Sequence, residues 1–378
     1  MPFTFVHTAD WQIGKAFGRF PTDVGVQLRA ARLNTIDRLA TVARDAGARH
    51  VLVAGDVIDS ELIDDMGLRQ PLARMAAYPD LGWCLLPGNH DPHRSGGIWE
   101  RAARLGLPGN VTLLLTSVVH EIAPGVALLP APLAAKEMRS DPTGWMDDAA
   151  TAEGVVRIGI AHGSVRGFGS LGEAAVPIEA GRLRTAGLDY LALGDWHGIK
   201  EVAPGVWYSG TPEPDSFMDN GPGHSLVVRL PGPGVAPVVS AVATASFRWL
   251  ERRIVLARLA DFDPLELEIA ALGEEGRRLI LSLQLEGAIA VSEAADLDDR
   301  VARLSALPVA TVVDRARLGL LAGVGDMARI IDPVLAAVAR RLIDRSQGDD
   351  PSESRIAVRA MRVLLSLGAG EAPREQAQ

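Results

Sequence analysis

The chain has 378 residues, 48% hydrophobic and 22% charged, a balance that excludes wholesale disorder and a length that suits two to three domains with sizeable cores. Its single cysteine, Cys84, excludes a disulfide framework and a cysteine-based zinc finger within one chain. The formal net charge of −9 (38 basic against 47 acidic residues) weighs against nonspecific nucleic-acid binding by bulk electrostatics, but not against a nucleic-acid enzyme whose bound divalent ions supply local positive charge.

Residues 3–9 (FTFVHTA) form an apolar run that ends at Asp10, and a helical pattern rich in Arg, Ala and Leu follows over 24–47. Residues 50–54 (HVLVA) predict a second buried strand ending at Gly55-Asp56, then a helix over 65–77. Residues 83–87 (WCLLP) predict a third, ending at Gly88-Asn89-His90-Asp91, with Cys84 in an apolar setting that suits a core thiol. Further strands are expected at 111–115, 126–130, 156–161 and 189–193, the last two ending at His162 and at Asp195 and His197. Strand–helix alternation of this kind predicts an α/β layered sheet. No uncharged stretch reaches the roughly 18 apolar residues of a spanning helix, and MPFTFVHTAD lacks the basic-then-apolar order of a signal peptide, so no membrane association and a cytoplasmic location are expected.

After about residue 222 the texture changes. Residues 224–230 and 235–243 read as a β-ribbon around the turn Pro231-Gly232-Pro233-Gly234. A smaller α+β module follows, with strands near 250–257, 278–285 and 309–313 and helices near 263–274 and 293–306. Helices are expected over 326–345 and 354–367, and the last eight residues are expected to fray. The domain expectation is therefore 1–245, 246–322 and a C-terminal helical segment, 323–378.

Five apolar strands run directly into polar, ligand-type residues. Open α/β sheets place their sites outside the carboxyl ends of strands, where buried strands hold the loops still. The ordered series is Asp10-Trp11-Gln12, Gly55-Asp56-Val57-Ile58-Asp59, Gly88-Asn89-His90-Asp91, His162-Gly163 and Gly194-Asp195-Trp196-His197. Each motif alone is weak; together they recur in a set that chance does not readily assemble.

This series resembles the calcineurin-like metallophosphoesterases, whose pattern runs D-x-H, G-D-x-x-D, G-N-H-[DE], H and G-H-x-H. HTADWQIGK is similar to the N-terminal element of the SbcD repair nucleases, with the YhaO-type exonucleases a near variant. Tyr208-Ser209-Gly210-Thr211-Pro212-Glu213-Pro214, with Ser216-Phe217, resembles the strand and loop that follow their last metal motif. The resemblance implies a four-layer αββα sandwich with a capping module, and two divalent ions, Mn²⁺ first and Mg²⁺ second. Carried over residue by residue, it assigns Asp10, Gln12, Asp56 and His197 to one ion and Asp56, Asn89, His162 and Asp195 to the other, with Asp56 bridging. His90 would act beside the ions as an acid or transition-state stabiliser, oriented by the Asp59 carboxylate, while Asp91 orders the loop.

Two positions depart from the pattern: Gln12 and Asp195 stand where the family has histidines. Both offer oxygen, which favours hard ions such as Mn²⁺ or Mg²⁺; the other reading is that one metal position is weakened or lost. Lys15, Arg19, Arg94 and Arg166 follow the motifs on expected loops and read either as DNA-phosphate contacts or as solvated charges. Trp11 and Trp196 either stack on bases or pack inward, with packing preferred. His7 reads as structural, His93 stays open, and His50, His120 and His224 belong to no motif.

Three functions follow from this reading. The first is an SbcD-type exonuclease or endonuclease acting on DNA ends in repair. The resemblance then implies a coiled-coil ATPase partner of the SbcC type and a homodimer; the chain has no GxxxxGK[ST] loop of its own. A stripe of Ile356, Val363, Leu364 and Leu367 would dock that partner or pack on the chain itself. The second is a phosphodiesterase for cyclic nucleotides or other small diesters. The third is a non-catalytic scaffold descended from a nuclease.

Overall fold

A computed structural model describes residues 2–167, 175–322, 326, 330, 332–348 and 350–368. The chain divides into two compact units, Met1–Phe247 and Arg248–Gln378.

The strands of the first unit are β1 (Phe3–Thr8), β2 (His50–Val53), β3 (Gly82–Leu85), β4 (Val111–Leu113), β5 (His120–Ala123), β6 (Val126–Ala131), β7 (Val156–His162), β8 (Ser164–Val165), β9 (Pro177–Ile178), β10 (Tyr190–Gly194), β11 (Lys200–Ala203), β12 (Val206–Tyr208), β13 (His224–Leu230) and β14 (Val238–Ala243). Its helices are α1 (Thr22–Asp45), α2 (Asp65–Ala76), α3 (Ile98–Arg104) and the single turn α4 (Arg182–Thr185). One six-stranded sheet has the order β14-β13-β1-β2-β3-β4 and the other β11-β12-β10-β7-β6-β5. Strands β1 to β4 run parallel, as do β6, β7, β10 and β12. The ribbon read at 224–243 is antiparallel and extends the first sheet by pairing β13 with β1.

Side-chain alternation along each strand explains the layers. In β1 to β3, Val6, Val51, Val53, Trp83 and Leu85 pack under α1, α2 and α3, against Ile36, Leu39, Leu72 and Trp99. The alternate residues Phe5, Leu52 and Cys84 face the second sheet, meeting Ile158, Ile160, Tyr190 and Ala192. The outer face of that sheet, Ala161, Leu191 and Leu193, packs on Met146, Ile178 and Leu188. Helix, sheet, sheet and outer cover make the expected αββα sandwich. Burial pushes the Cys84 thiol up to about 12, so it stays a protonated core side chain.

In the second unit, β15 (Arg248–Leu256), β16 (Leu279–Ala290) and β17 (Ala310–Leu321) form a parallel sheet. Parallel neighbours need a crossover, which α5 (Asp263–Ala271) and α6 (Ala294–Leu304) supply. Their Leu265, Ile269, Leu297 and Val301 cover Leu281, Leu283 and Leu285. Helix α7 (Pro333–Ser346) starts later than expected, capped by Asp332, whose carboxylate accepts from Val334 N at 2.7 Å. Helix α8 (Pro351–Gly368) pairs with it, and Ala339, Ile343 and Met361 bury against Val291 and Ala322 of the same unit. Leu364 joins this cluster while Ile356 and Val363 are exposed; the Leu367 side chain and the last eight residues lie outside the described residues. No helix among the described residues is long and apolar enough to cross a membrane.

Candidate metal centre

The carboxyl ends of β1, β2, β3, β7 and β10 deliver their loops to one place. Backbone bonds lock the loops together: Asp10 N donates to Gly55 O at 3.1 Å, Gln12 N to Asp56 O at 2.9 Å and Ile13 N to Val57 O at 2.9 Å. The two sheets are stitched by Asp195 N, which donates to the Asp10 carboxylate at 3.2 Å, and by His162 Nδ1, 2.9 Å from Ala54 O.

Local conformation marks the same loops. Asp10, Gln12, Asp56 and Asp195 take left-handed φ values of 55°, 43°, 52° and 103°. Non-glycine residues hold that region only where surroundings over-determine them, and such strain clusters at functional sites. Two glycines allow the close approach. A Cβ at Gly55 would fall 2.3 Å from the His162 ring, and one at Gly88 would fall 2.2 Å from Asp56 Oδ1.

Asp10, Asp56 and His162 are buried and offer ligand atoms that all lie within 4.8 Å of one another. A carbonyl can only accept, so His162 carries a proton on Nδ1 and turns Nε2 toward the site. Nε2 lies 3.4 Å from Asp56 Oδ1 and 3.9 Å from Asp195 Oδ1. Asn89 Nδ2 donates to Asp195 Oδ1 at 3.3 Å. Neither His162 Nε2 nor Asn89 Oδ1, both buried, has a hydrogen-bond partner among the described residues. Three buried or half-buried carboxylates facing two ligand-type atoms that have no hydrogen-bond partner suit a cation. The residues assigned to the second ion therefore fit a divalent metal.

The electrostatics agree. Burial, aided by Asp56 and Asp195 and opposed by His197 and His162, raises the Asp10 carboxyl to about 6. Burial alone would lower His162, but Asp56, Asp10 and Asp195 outweigh it and lift the imidazole to about 9. The site holds a surplus of negative charge that a proton meets only in part.

The other assigned group is arranged differently. Gln12 Nε2 lies 3.3 Å from His197 Nε2, and Gln12 Oε1 accepts from Lys15 Nζ at 2.9 Å. His197 Nδ1 lies 3.4 Å from Asp215 Oδ1. Although burial opposes it, the bond to Asp215 and the charge of Asp10 raise His197. Asp215 also accepts from Lys15 at 2.8 Å and Arg32 at 3.3 Å, and despite its burial these partners hold it well below the carboxylate range.

His90 stands at the rim, with Nε2 4.0 Å from Asp56 Oδ2. Its Nδ1 donates to the main-chain carbonyl of Asp59 at 2.8 Å, which corrects the expectation that the Asp59 carboxylate orients it; that carboxylate turns instead toward Lys15, at 3.8 Å. Asp91 orders the loop, accepting from Ile58 N and Gly88 N, and burial with the nearby Asp56 raises it to about 8.

The four basic candidates all have intramolecular partners. Lys15 belongs to the centre itself. Arg94 pairs with Glu61 at 2.8 Å and Arg166 with Glu179 at 3.1 Å, while Arg19 lies over the rings of Phe20 and Phe217. Trp11 is buried edge-on against Trp83 and bonds Thr8, and Trp196 packs against the outer core. His7 sits between the Tyr190 hydroxyl and the Leu193 carbonyl, and His93 Nδ1 lies 3.2 Å from Leu115 O.

Sequence reading did not single out Arg32, Ser164 or Asp215, and it named Thr211 only within the Tyr208–Pro214 resemblance, with no role of its own. Ser164 donates to Asp195 at 2.7 Å, and Thr211 donates to the Asp10 carbonyl at 2.8 Å. Tyr208 donates to Gly163 O at 2.7 Å. The stretch from Tyr208 to Asp215 thus props the centre from behind. Its sequence signal was the resemblance of Tyr208–Pro214, with Ser216-Phe217, to the strand and loop after the last metal motif; that resemblance did not say which of its side chains reach the centre.

Residues 3–198 match the family described as calcineurin-like phosphoesterase. Solved structures similar to this chain include a Thermus thermophilus protein, at 13% identity over 65% of this chain and 100% of that one with a TM-score of 0.42. A dimetal phosphatase from Danio rerio shares 12% identity over 64% and 99%, with a TM-score of 0.38. A purple acid phosphatase from yellow lupin seeds shares 13% over 65% and 52%, with a TM-score of 0.41. No curated protein matches the chain. Because the family's pattern spans more than half of the sequence and its strand-end motifs meet in one buried, cation-demanding pocket, the chain belongs to the calcineurin-like phosphoesterases.

Proposed function

We propose that the chain is a metal-dependent nuclease of the SbcD type that hydrolyses phosphodiester bonds at DNA ends. One observation carries the hydrolytic part: the orphaned, buried His162 Nε2 and Asn89 Oδ1 beside Asp56. Divalent ions, manganese by preference and magnesium second, supply charge neutralisation of the phosphate and activation of a water. Asp10, Gln12, Asp56 and His197 would hold one ion, and Asp56, Asn89, His162 and Asp195 the other.

The remaining chemistry belongs to the chain's own side chains. The Asp59 carbonyl holds the proton of His90 on Nδ1, so the partly exposed Nε2 faces the substrate side. From there a protonated His90 donates to the leaving oxygen. Asp195, held by Ser164, keeps Asn89 turned toward the pocket.

The DNA part draws support from HTADWQIGK, from Tyr208–Phe217 and from the presence of a second compact unit, which a small substrate does not require. The same reading includes homodimerisation and an SbcC-type ATPase partner docking on α7 and α8. Deleting 352–378 and testing ATPase co-purification checks that docking; undiminished capture removes these helices from the reading.

A second reading, hydrolysis of cyclic nucleotides or other small diesters, is favoured by the net charge of −9 and by the acidic partners of Arg94 and Arg166. Parallel assays with Mn²⁺ on linear duplex DNA, cyclic nucleotides and bis(p-nitrophenyl) phosphate separate the two. Activity confined to the small diesters, with the ATPase partner present, favours the second.

A further inference from the structure

The two halves of the centre are not equivalent. On the Asn89 side, two ligand-type atoms lack partners among the described residues. On the Gln12 side, the amide is engaged at both ends: Oε1 by Lys15 Nζ at 2.9 Å and Nε2 by His197 Nε2 at 3.3 Å. Lys15 is held in place. Its backbone N donates to Gln12 O at 3.2 Å, and its ammonium pairs with Asp215 at 2.8 Å and lies 3.8 Å from Asp59. Asp215 is itself buried and fixed by Arg32, so the ammonium has a rigid anchor.

A neutral amide carbonyl is a weaker ligand than imidazole, and here it already serves a cation. A second divalent ion on this side has to displace the ammonium from Gln12 Oε1 and then bear its repulsion at short range.

We infer that the two metal positions are unequal in this chain: Asp56, Asn89, His162 and Asp195 hold one divalent ion tightly, while Lys15 competes with the second ion for Gln12 and supplies part of the positive charge that ion would bring. The inference rests on the metal-dependent reading above and deepens it. Its test uses no substrate, so it fails or stands independently of any hydrolytic activity.

The experiment titrates Mn²⁺ into the chelator-treated full-length chain, following binding by calorimetry and by electron paramagnetic resonance. The expected result is one tight site with a mononuclear signal, and a second at least about tenfold weaker, the size of effect typical for groups that tune a metal ligand. Lys15→Met narrows that gap about tenfold or more, and so does Gln12→His, which offers an imidazole and gives Lys15 no carbonyl. Asn89→Ala removes the tight site. Thermal melting of each variant identifies those that fold, and Gln12→His decides the matter if Lys15→Met does not. Two equal sites with a coupled dinuclear signal in the wild-type chain overturn the inference, as does an unchanged gap in a natively melting Lys15→Met or Gln12→His.

Discussion

His162 Nε2 faces Asp56 Oδ1 across 3.4 Å, while its Nδ1 proton is committed to the Ala54 carbonyl at 2.9 Å. A proton on this imidazole answers only part of the negative charge of Asp10, Asp56 and Asp195, and a divalent ion in its place answers more. Ion binding should therefore stabilise the fold measurably. At a hundredfold excess over Kd the linkage is about 2.7 kcal/mol, which for a unit of this size raises Tm by about 5–10 °C. Chelator-treated wild-type chain should show this rise on adding Mn²⁺ and lose it on re-chelation. In His162→Ala the rise should vanish; a full shift in that variant would place the ion elsewhere.

Gly88 tests the same pocket from its wall. A methyl there would fall 2.2 Å from Asp56 Oδ1, so Gly88→Ala has to move the carboxylate. The variant should keep its secondary structure by circular dichroism while metal affinity drops by about 10- to 100-fold. Wild-type affinity would mean that the loop bearing Asp56 yields more readily than its backbone bonds imply.

His90 lies at the rim, and its ring is positioned by a main-chain carbonyl. His90→Ala should leave Mn²⁺ affinity near the wild-type value and lower kcat by about 10²–10⁴-fold. Asp59→Asn should alter kcat far less, because the carbonyl and not the carboxylate holds the imidazole. An Asp59→Asn loss as deep as that of His90→Ala would restore the carboxylate to the role first expected of it.

Asp215 collects Arg32, Lys15 and His197 in a buried setting. Asp215→Asn leaves the buried Arg32 guanidinium without its counter-charge, a change that typically costs about 3–5 kcal/mol. Denaturant unfolding should register that loss with little change in m. A variant as stable as wild type would show that the Glu213 carbonyl, 2.7 Å from Arg32 Nη1, suffices for Arg32.

His7 provides the pH prediction. Burial lowers its imidazole from 6.5 to about 3, against a raising effect from the Leu193 carbonyl. Tyr190 donates to Nδ1 and Nε2 donates to Leu193 O, so an added proton has to break the Tyr190 bond. The unfolded chain takes up this proton more readily than the folded one. The stabilisation is thus complete above about 6.5 and is lost as the pH falls toward about 3, an effect of about 5 kcal/mol at full extent. Metal-free wild-type chain should lose stability more steeply over that window than His7→Gln, which cannot titrate. Parallel profiles would refute the assignment.

The sandwich was legible in the chain because strands buried on both faces read as continuous apolar runs, and because each run ended on a change of chemistry. FTFVHTA before Asp10, HVLVA before Gly55-Asp56 and WCLLP before Gly88-Asn89-His90 are of this kind. The short strands β5, β8 and β9 were not legible, since two to four residues carry too little periodicity. The late start of α7 followed from a cap at Asp332, a local feature that helical spacing alone does not weigh.

What the amino-acid order determined by itself was the inventory: which strands exist, which residue types stand at their ends, and which family the pattern joins. Only the tertiary structure decided who touches whom. Asp59 offers His90 its carbonyl, Lys15 turns inward to Gln12 and Asp215, and a segment some 200 residues after Asp10 supports it through Thr211. The reason is physical. Strand identity follows from local alternation and burial, whereas a side chain's partner depends on which distant backbone the packing of two sheets brings within about 3 Å.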